Sequence, residues 1–317
     1  MLIVMRKQVL LVVLMVVMLS GALFARGGAE EPAPEKGPVV VASKIDTEGA
    51  LLGSMIVQLL RADGFEVVDR TQFGPTDVIR RAIINDEIDI YPEYTGNGGF
   101  FFEGTDSGVW RDAESAYETV RDLDLQENNI VWLRPAPANN TWAIAIREDL
   151  AEQEQITDLE DLAAYLERGG SFRLAGSEEF VSRDDALPAF EDEYGFSLDS
   201  DQLLVLSGGD TAVTAQAAAR GTDGVNAAMA YGTDGQLAAL GLVVLEDTRG
   251  VQPVYEPAPI LRADIHESYP EIEEVLAPVF ATLRLTTLQQ LNSKIAVEGR
   301  DAEQVAGEYL REQGFLQ

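Results

Sequence analysis

The sequence predicts an α/β protein of two lobes joined by two crossings of the chain. Short apolar runs alternate with helical patterns of about 10–15 residues, which is typical of parallel βαβ units. Two proline-marked segments, residues 134–137 and 253–259, interrupt this alternation. The chain of 317 residues is long enough to bury two cores of ordinary size. We therefore expect hinged lobes with a ligand cleft between them, the arrangement in which closure traps a ligand.

The N-terminal segment has the order of charged, apolar and small residues that characterises a secretory signal peptide, which we assign to residues 1–29. Its apolar run, residues 9–19, is short for a membrane span, although an uncleaved anchor stays an alternative. Residues 30–38 are rich in Pro, Glu, Ala and Gly and are expected to form a flexible lead-in. The sequence contains no cysteine, so it lacks the residue that would carry the lipid of a bacterial lipoprotein. These features predict a periplasmic protein.

The net charge of −31 argues strongly against nucleic acid or an anionic membrane surface as the partner. The single histidine, His266, lies in a polar stretch, and no nucleophile-elbow, zinc-protease or P-loop pattern occurs in the sequence. We therefore expect no catalytic residues, no metal site and no cofactor. The chain is interpreted as a binding protein and not as an enzyme.

The first lobe begins with a β-branched strand at residues 39–42, and Thr47 is expected to cap the helix that follows it. Gly64 is expected to end that helix, and the next strand covers residues 65–68. A third strand at residues 88–90 follows a second apolar helical pattern. This order of strands and helices predicts parallel strand pairing.

The segment after the third strand carries two tyrosines, Tyr91 and Tyr94, separated by Pro92 and followed by Gly96. We expect Pro92 to form a turn and Gly96 to allow a close approach of the backbone. Ligands of α/β proteins tend to bind at strand ends, so the two rings suggest a surface for a flat-sided or cationic ligand. Packing at the edge of the core is the competing interpretation for this pair.

The second lobe and the C-terminal region are predicted in the same way. Five further strands are expected at residues 142–147, 172–175, 203–206, 225–230 and 242–245. Helices are expected at residues 156–166, 186–194 and 212–219, and three C-terminal helices are expected to start at Pro270, at Thr286 or Thr287, and at Asp301. We assign residues 39–138 and 252–317 to the first lobe, and residues 139–251 to the second.

Aromatic and cationic side chains recur at or near the predicted strand ends and crossings. They are Tyr94, Trp142, Tyr231, Tyr255, Lys44 and Arg183. Lys44 is notable because the sequence contains only four lysines. Taken singly, a tryptophan in a strand is more often part of a core than a ligand wall, and an arginine at a helix start is more often a surface charge.

Five motifs, which occur in a fixed order, carry a resemblance to a known family. They are Ser43-Lys-Ile-Asp-Thr-Glu48, Tyr91-Pro-Glu-Tyr-Thr-Gly96, Asn139-Asn-Thr-Trp142, Ala230-Tyr-Gly-Thr-Asp-Gly235 and Gln252-Pro-Val-Tyr-Glu-Pro-Ala-Pro259. From about residue 39 to residue 317 the chain resembles the substrate-binding proteins of osmoprotectant ABC transporters, the glycine betaine/choline group. It is most similar to the OsmF (YehZ) branch of that group. The resemblance implies a two-lobed periplasmic-binding-protein fold of type II.

In that family a cage of aromatic rings holds the trimethylammonium group of the ligand, which has no N–H with which to donate a hydrogen bond. The resemblance places this cage on Tyr94, Tyr231 and Tyr255, and on Trp142, where tryptophan stands in place of the family's tyrosine. Three neighbours of the motifs are expected to have supporting roles, Tyr91 and Phe180 in packing and Asp234 as a helix cap.

The resemblance places the contacts to the ligand's carboxylate on Lys44, Asn97 and Arg183. Many relatives have threonine at position 97, and the OsmF branch does not always keep arginine at position 183. An Arg183 side chain that points inward is expected to favour zwitterions that carry a carboxylate over choline.

The implied function is that of the extracytoplasmic substrate-binding subunit of an ABC importer that takes up glycine betaine or a related quaternary-ammonium osmoprotectant. The implied partners are a small quaternary amine and the permease subunits of the inner membrane, and we expect the protein to be a monomer. Two alternatives stay open: a receptor for another small zwitterion or an amino acid, and a ligand-sensing module of the same fold.

Overall fold

The computed structural model describes residues 36–317, so the predicted signal peptide and most of the predicted lead-in lie outside the described residues. Two five-stranded sheets, each accompanied by helices, organise this part of the chain. We call the part built on each sheet a lobe. Between residues 36 and 317, no helix is both long enough and apolar enough to cross a membrane. The predicted α/β class with two lobes is confirmed.

The first sheet has the strand order β2-β1-β3-β10-β4. Its strands are β1 (Lys36–Lys44), β2 (Phe65–Gly74), β3 (Ile90–Tyr94), β4 (Ile130–Trp132) and β10 (Pro257–Arg262). The second sheet has the order β7-β6-β8-β5-β9. Its strands are β5 (Trp142–Arg147), β6 (Leu174–Ser177), β7 (Leu203–Leu206), β8 (Ala227–Tyr231) and β9 (Leu242–Val244). Strands β4 and β10 were not predicted from the sequence.

The strand pairing is mixed, so the prediction of parallel units is only partly correct. Strands β1 and β3 run parallel, as do β6 and each of its neighbours, β7 and β8. Strands β10 and β5 run antiparallel to both of their neighbours. Each of these two strands enters its sheet directly from a crossing segment, without the crossover helix that a parallel connection requires.

The helices of the first lobe are α1 (Thr47–Ala62), α2 (Thr76–Ile84), α3 (Gly98–Phe101), α4 (Ala113–Asn128), α10 (Ala263–Ser268), α11 (Glu271–Phe280), α12 (Leu285–Ala296) and α13 (Ala302–Glu312). Those of the second lobe are α5 (Glu148–Glu154), α6 (Leu159–Glu167), α7 (Glu178–Ser182), α8 (Leu187–Tyr194) and α9 (Thr211–Arg220). Helices α12 and α13 pack with α1 in one hydrophobic core, which fixes the C-terminal region on the first lobe.

Helix boundaries follow the capping chemistry of the sequence, with one correction. The carboxylate of Asp46, and not Thr47, caps α1 by accepting from the N–H of Gly49 at 2.7 Å. Gly64 adopts the left-handed φ of +86° just beyond the end of that helix, as expected of a glycine stop. Asp301 caps α13 as predicted, with its side chain accepting from Gln304 N.

Pro92 does not form a turn, because the predicted loop is a buried strand. All five residues of β3 are buried, and the strand lies between β1 and β10. Pro92 pairs opposite Pro259 of β10, so the missing N–H groups fall at the same rung of the ladder. The chain turns only after Tyr94, in the short 3₁₀ helix Thr95–Asn97. Tyr94 therefore marks the end of a strand and not the middle of a loop.

Candidate functional site

Strand direction brings three of the predicted residues of the first lobe to one edge of its sheet. Because β1 and β3 are parallel, their carboxyl ends meet, and these ends carry Lys44 and Tyr94. Strand β10 is antiparallel to β3 and starts at the same edge, opposite Tyr94. Tyr255 lies two residues before that start. The site of the first lobe is therefore built at the strand ends, where ligands of α/β folds tend to bind.

The second sheet also brings predicted site residues together at one edge, here through an antiparallel pair of strands. Trp142 opens β5 and lies directly opposite Tyr231, which closes β8. Their rings are stacked, with centroids 6.5 Å apart and an angle of 19° between the planes. The ring of Tyr255 packs against Trp142 with a centroid distance of 5.8 Å, and Phe180 meets Trp142 edge-on at 5.7 Å. One tryptophan thus stands at the centre of an aromatic cluster.

A cavity of about 40 Å³ lies between the two strand-end edges. Six of the seven predicted site residues line it: Lys44, Tyr94, Asn97, Trp142, Tyr231 and Tyr255. The remaining lining residues are Ile45, Asp46, Pro75, Thr76, Asn140, Glu179 and Gly209. Arg183 instead lines an adjoining groove that shares Pro75, Glu179 and Gly209 with the cavity.

The two crossing segments hold Tyr255 in place. Its N–H donates to Asn139 Oδ1 at 2.8 Å, and its carbonyl accepts from the N–H of Asn140 at 2.7 Å. A Cβ atom on Gly96 would lie 2.9 Å from the Tyr255 ring, so the expected close approach at Gly96 is confirmed. The hydroxyl of Tyr255 is buried and has no hydrogen-bond partner among residues 36–317. It is therefore a donor available to a bound molecule.

Sequence reasoning missed Glu93, the residue that organises the polar part of the site. Its carboxylate is fully buried and pairs with Lys44 Nζ at 2.7 Å. It also accepts from Asn97 Nδ2 at 2.7 Å, from the Tyr94 N–H at 2.7 Å and from the Tyr91 hydroxyl at 2.9 Å. Lys44 Nζ lies 4.9 Å from the centroid of the Tyr94 ring. Without such partners, the free-energy cost of burying this glutamate would be prohibitive.

Arg183 is also paired within the protein. Its guanidinium binds both oxygens of Asp185, at 2.8 and 2.6 Å, and donates to Glu179 at 2.9 Å. It donates to Asn97 Oδ1 at 3.1 Å, across the cleft. Its Cζ lies 4.7 Å from the centroid of the Trp142 ring. Burial opposes the charged form, but these pairs keep the pKa of Arg183 above its ordinary value.

A second buried glutamate, Glu48, is hydrogen-bonded to the Tyr94 hydroxyl and was part of a sequence motif to which no role was assigned. It accepts hydrogen bonds from the Tyr94 hydroxyl at 3.0 Å, from Asn140 Nδ2 at 2.9 Å and from Asn292 Nδ2 at 2.7 Å. Burial raises the pKa of Glu48 to about 7, while hydrogen bonds from Thr233, Asn292 and Tyr94 oppose the shift. Near neutral pH this carboxyl is therefore present in both protonation states. Only the position of Glu48 in the motif that contains Lys44 could have indicated a role for this residue.

The three residues with predicted supporting roles are placed as follows. Tyr91 and Phe180 are fully buried, as the packing interpretation requires. Asp234 does not cap a helix, so that prediction is wrong. Its carboxylate accepts from the N–H of Tyr231 and from the hydroxyl of Thr211, both at 2.8 Å, and so holds the turn behind the Tyr231 ring.

Two α/β lobes with a cavity between their strand ends, lined by aromatic and charged side chains, define a solute-binding protein of the type II periplasmic-binding-protein fold. The fold class predicted from the sequence is confirmed.

Comparison with known proteins identifies the family. The protein-family model for the substrate-binding domain of the ABC-type glycine betaine transport system matches residues 37–312. The chain is 55% identical over 296 residues to the glycine betaine-binding protein YehZ of Escherichia coli, covering 93% of this chain and 97% of YehZ. It is 30% identical over 282 residues to a glycine-betaine-binding protein of Pseudomonas aeruginosa, covering 87% and 88% of the two chains. The structure of apo YehZ from E. coli matches with a TM-score of 0.65 and 57% identity over 88% of this chain and 99% of the other. The chain therefore belongs to the glycine betaine ABC transport family, and the resemblance found in its sequence is confirmed.

Proposed function

We propose that this protein captures glycine betaine, or a closely related quaternary amine, in the cavity between its lobes. The observation that carries the proposal is the arrangement of Tyr94, Trp142, Tyr231 and Tyr255 around one cavity, with rings supplied by both lobes. A trimethylammonium group offers no hydrogen-bond donor, whereas each aromatic face attracts it by about 0.5–2 kcal/mol when water is excluded. The relatives named for glycine betaine support this choice of ligand.

The polar end of the ligand is assigned to Lys44, Asn97 and Arg183, as the family resemblance implies. Each of these groups already binds a carboxylate or an amide of the protein. A ligand carboxylate would therefore share Lys44 with Glu93, and the unpartnered hydroxyl of Tyr255 supplies a further donor. Arg183 would reach the ligand only by a change of its side chain or by closure of the lobes, because it lines the adjoining groove.

Capture is proposed to proceed by closure of the lobes about the two crossings, with residues 39–138 and 252–317 moving against residues 139–251. The protein is proposed to act without catalysis as the exported, periplasmic subunit of an importer and to deliver its ligand to the membrane permease. We infer a monomer, with the closed form presenting the surface that the permease binds.

Calorimetric titration with glycine betaine, choline, carnitine, ectoine and proline tests the proposal. We expect binding of glycine betaine, and Tyr94→Ala or Tyr255→Ala should each weaken it at least a few-fold through loss of one cation–π contact. Tyr117→Ala is the matched control. It should leave the affinity unchanged, because Tyr117 is buried in the core of the first lobe and does not line the cavity. Absence of binding for every quaternary amine would overturn the proposal, and binding of proline alone would favour the amino-acid alternative.

A further inference from the structure

Helix α12 of the first lobe is hydrogen-bonded to the turn that follows β8 in the second lobe. Gln289 Nε2 donates to the carbonyl of Gly232 at 3.0 Å, and Asn292 Nδ2 donates to the carbonyl of Thr233 at 3.2 Å. The turn starts immediately after Tyr231, whose ring lines the cavity. A helix remote in sequence therefore holds the backbone that carries one wall of the cage.

The same amide also reaches the opposite wall. Asn292 Nδ2 donates to Glu48 Oε2 at 2.7 Å, and Glu48 Oε1 accepts from the Tyr94 hydroxyl at 3.0 Å. Glu48, Asn292 and Thr233 are 4%, 2% and 1% exposed, so water does not compete for these bonds. A continuous path of hydrogen bonds thus runs from Tyr94 through Glu48 and Asn292 to the turn behind Tyr231.

The backbone approach at this contact is unusually close. A Cβ atom on Gly235 would lie 1.8 Å from the carbonyl oxygen of Gln289 and 3.1 Å from the Cβ of Ser293. Because the nearest atom belongs to the helix backbone, it cannot move aside as a flexible side chain would. Any residue larger than glycine would push the turn of the second lobe away from α12 of the first lobe.

We propose that Asn292 is the positioning residue that sets the spacing between the Tyr94 and Tyr231 walls of the cage, with Gln289 and Gly235 supporting it. The inference rests on the proposed function, since the cage matters only if a ligand enters it. Neither Asn292 nor Gln289 lines the cavity, so each acts through the tyrosines and not through contact with the ligand. Loss of the link displaces the Tyr231 wall, and the affinity falls because the ligand loses its contact with that ring.

The test compares glycine betaine titrations of four variants at a temperature where all are folded. Loss of the inter-lobe hydrogen bonds in Asn292→Ala should weaken binding about five- to tenfold, and Gln289→Ala should weaken it by a smaller factor. Gly235→Ala, which separates the two backbones, should weaken it at least as much as Asn292→Ala. Gln290→Ala is the matched control, because Gln290 is an exposed amide on the same helix and should leave affinity unchanged.

A double-mutant cycle separates positioning from a general loss of stability. If Asn292 acts through Tyr231, Asn292→Ala should cost little further affinity in a Tyr231→Ala background. A merely structural role would lower the melting temperature of Asn292→Ala and leave the affinity of the folded protein unchanged. Additive effects in the cycle, or wild-type affinity in Asn292→Ala, would overturn the proposal.

A measurement without ligand keeps this proposal distinct from the proposed function. The sequence has no cysteine, so spin labels can be attached to cysteines introduced at the exposed residues Glu127 in the first lobe and Asp201 in the second. Pulsed EPR should show a broader distribution of distances for Asn292→Ala and Gly235→Ala than for the wild type or Gln290→Ala. Unchanged distributions would reject the positioning role even if glycine betaine proved not to be the ligand.

Discussion

Two clusters of side chains meet at the cavity, and they differ in how fully their polar groups are hydrogen-bonded. The carboxylate cluster, formed by Lys44, Tyr91, Glu93, Tyr94 and Asn97, is organised by hydrogen bonds and an ion pair to one buried glutamate. The aromatic cluster, formed by Trp142, Phe180, Tyr231 and Tyr255, packs ring against ring and leaves the Tyr255 hydroxyl without a partner in the described part of the chain.

The difference matters for the proposed cation site, because Lys44 and Arg183 each lie close to one of its aromatic rings. The Lys44 charge is held 2.7 Å from Glu93, and the Arg183 charge is held by Asp185 and Glu179. Positive charges near the aromatic faces are therefore balanced within the protein, so a quaternary ammonium bound as proposed would not meet unscreened repulsion.

Removing the charge of Glu93 should have the largest effect. Glu93→Gln leaves the buried Lys44 without a counter-ion, and breaking such a pair costs about 3–5 kcal/mol of unfolding free energy. Urea denaturation measures the loss. The control is Glu114→Gln, which breaks the exposed pair with Arg134 and should cost less than about 1 kcal/mol.

The same variant also sharpens the assignment of the ligand's polar end. If a ligand carboxylate shares Lys44, glycine betaine should raise the melting temperature of Glu93→Gln more than choline does, because it replaces the missing counter-ion. Equal shifts for the two ligands would mean that Lys44 does not contact the carboxylate.

The stability contributed by Glu48 should depend on pH. Its pKa is raised from 4.5 to about 7 in the folded state, so its contribution is fully present below pH 4.5 and is lost as the pH rises through 7. The shift corresponds to at most about 3 kcal/mol. The unfolding free energy of Glu48→Gln, relative to that of the wild type, should therefore increase as the pH rises from 5 to 8. A difference between the two proteins that is constant across this range would contradict the prediction.

The centre of the aromatic cluster should control ligand affinity. Trp142→Ala removes the aromatic face proposed to bind the cation and the support of three neighbouring rings, and should cost about 2 kcal/mol, or roughly 30-fold in affinity. Trp142→Tyr keeps a ring at that position and should stay within a few-fold of the wild type. Calorimetric titration distinguishes the two variants. Equal losses of affinity in Trp142→Ala and Trp142→Tyr would show that the indole ring is needed for packing alone.

The smallest effect is expected at Tyr91. Tyr91→Phe removes one of the four hydrogen bonds to Glu93 and should cost about 1 kcal/mol of unfolding free energy. Ligand affinity should not change, because the Tyr91 ring packs in the core of the first lobe. A clear loss of affinity would mean that Tyr91 belongs to the binding site.

Local patterns predicted much of the secondary structure. The boundaries of β5 and β7, the cap at Asp301 and the glycine stop at Gly64 agree with the structure, since each depends on neighbouring residues. Strand β10 was missed because its prolines resemble a loop, although the sheet accommodates them. The helix predicted to start at Thr286 or Thr287 begins at Leu285.

The residue types at the site were determined by the sequence alone, because five ordered motifs place aromatic and basic side chains at strand ends. Tertiary structure decided how those side chains are paired. Antiparallel pairing sets Trp142 opposite Tyr231, and burial makes Glu93 and Glu48 the partners of Lys44 and Tyr94. Asn292 reaches Glu48 across 244 positions of the chain. Such partners are chosen by burial and strand direction, which act between residues distant in sequence and leave no local pattern.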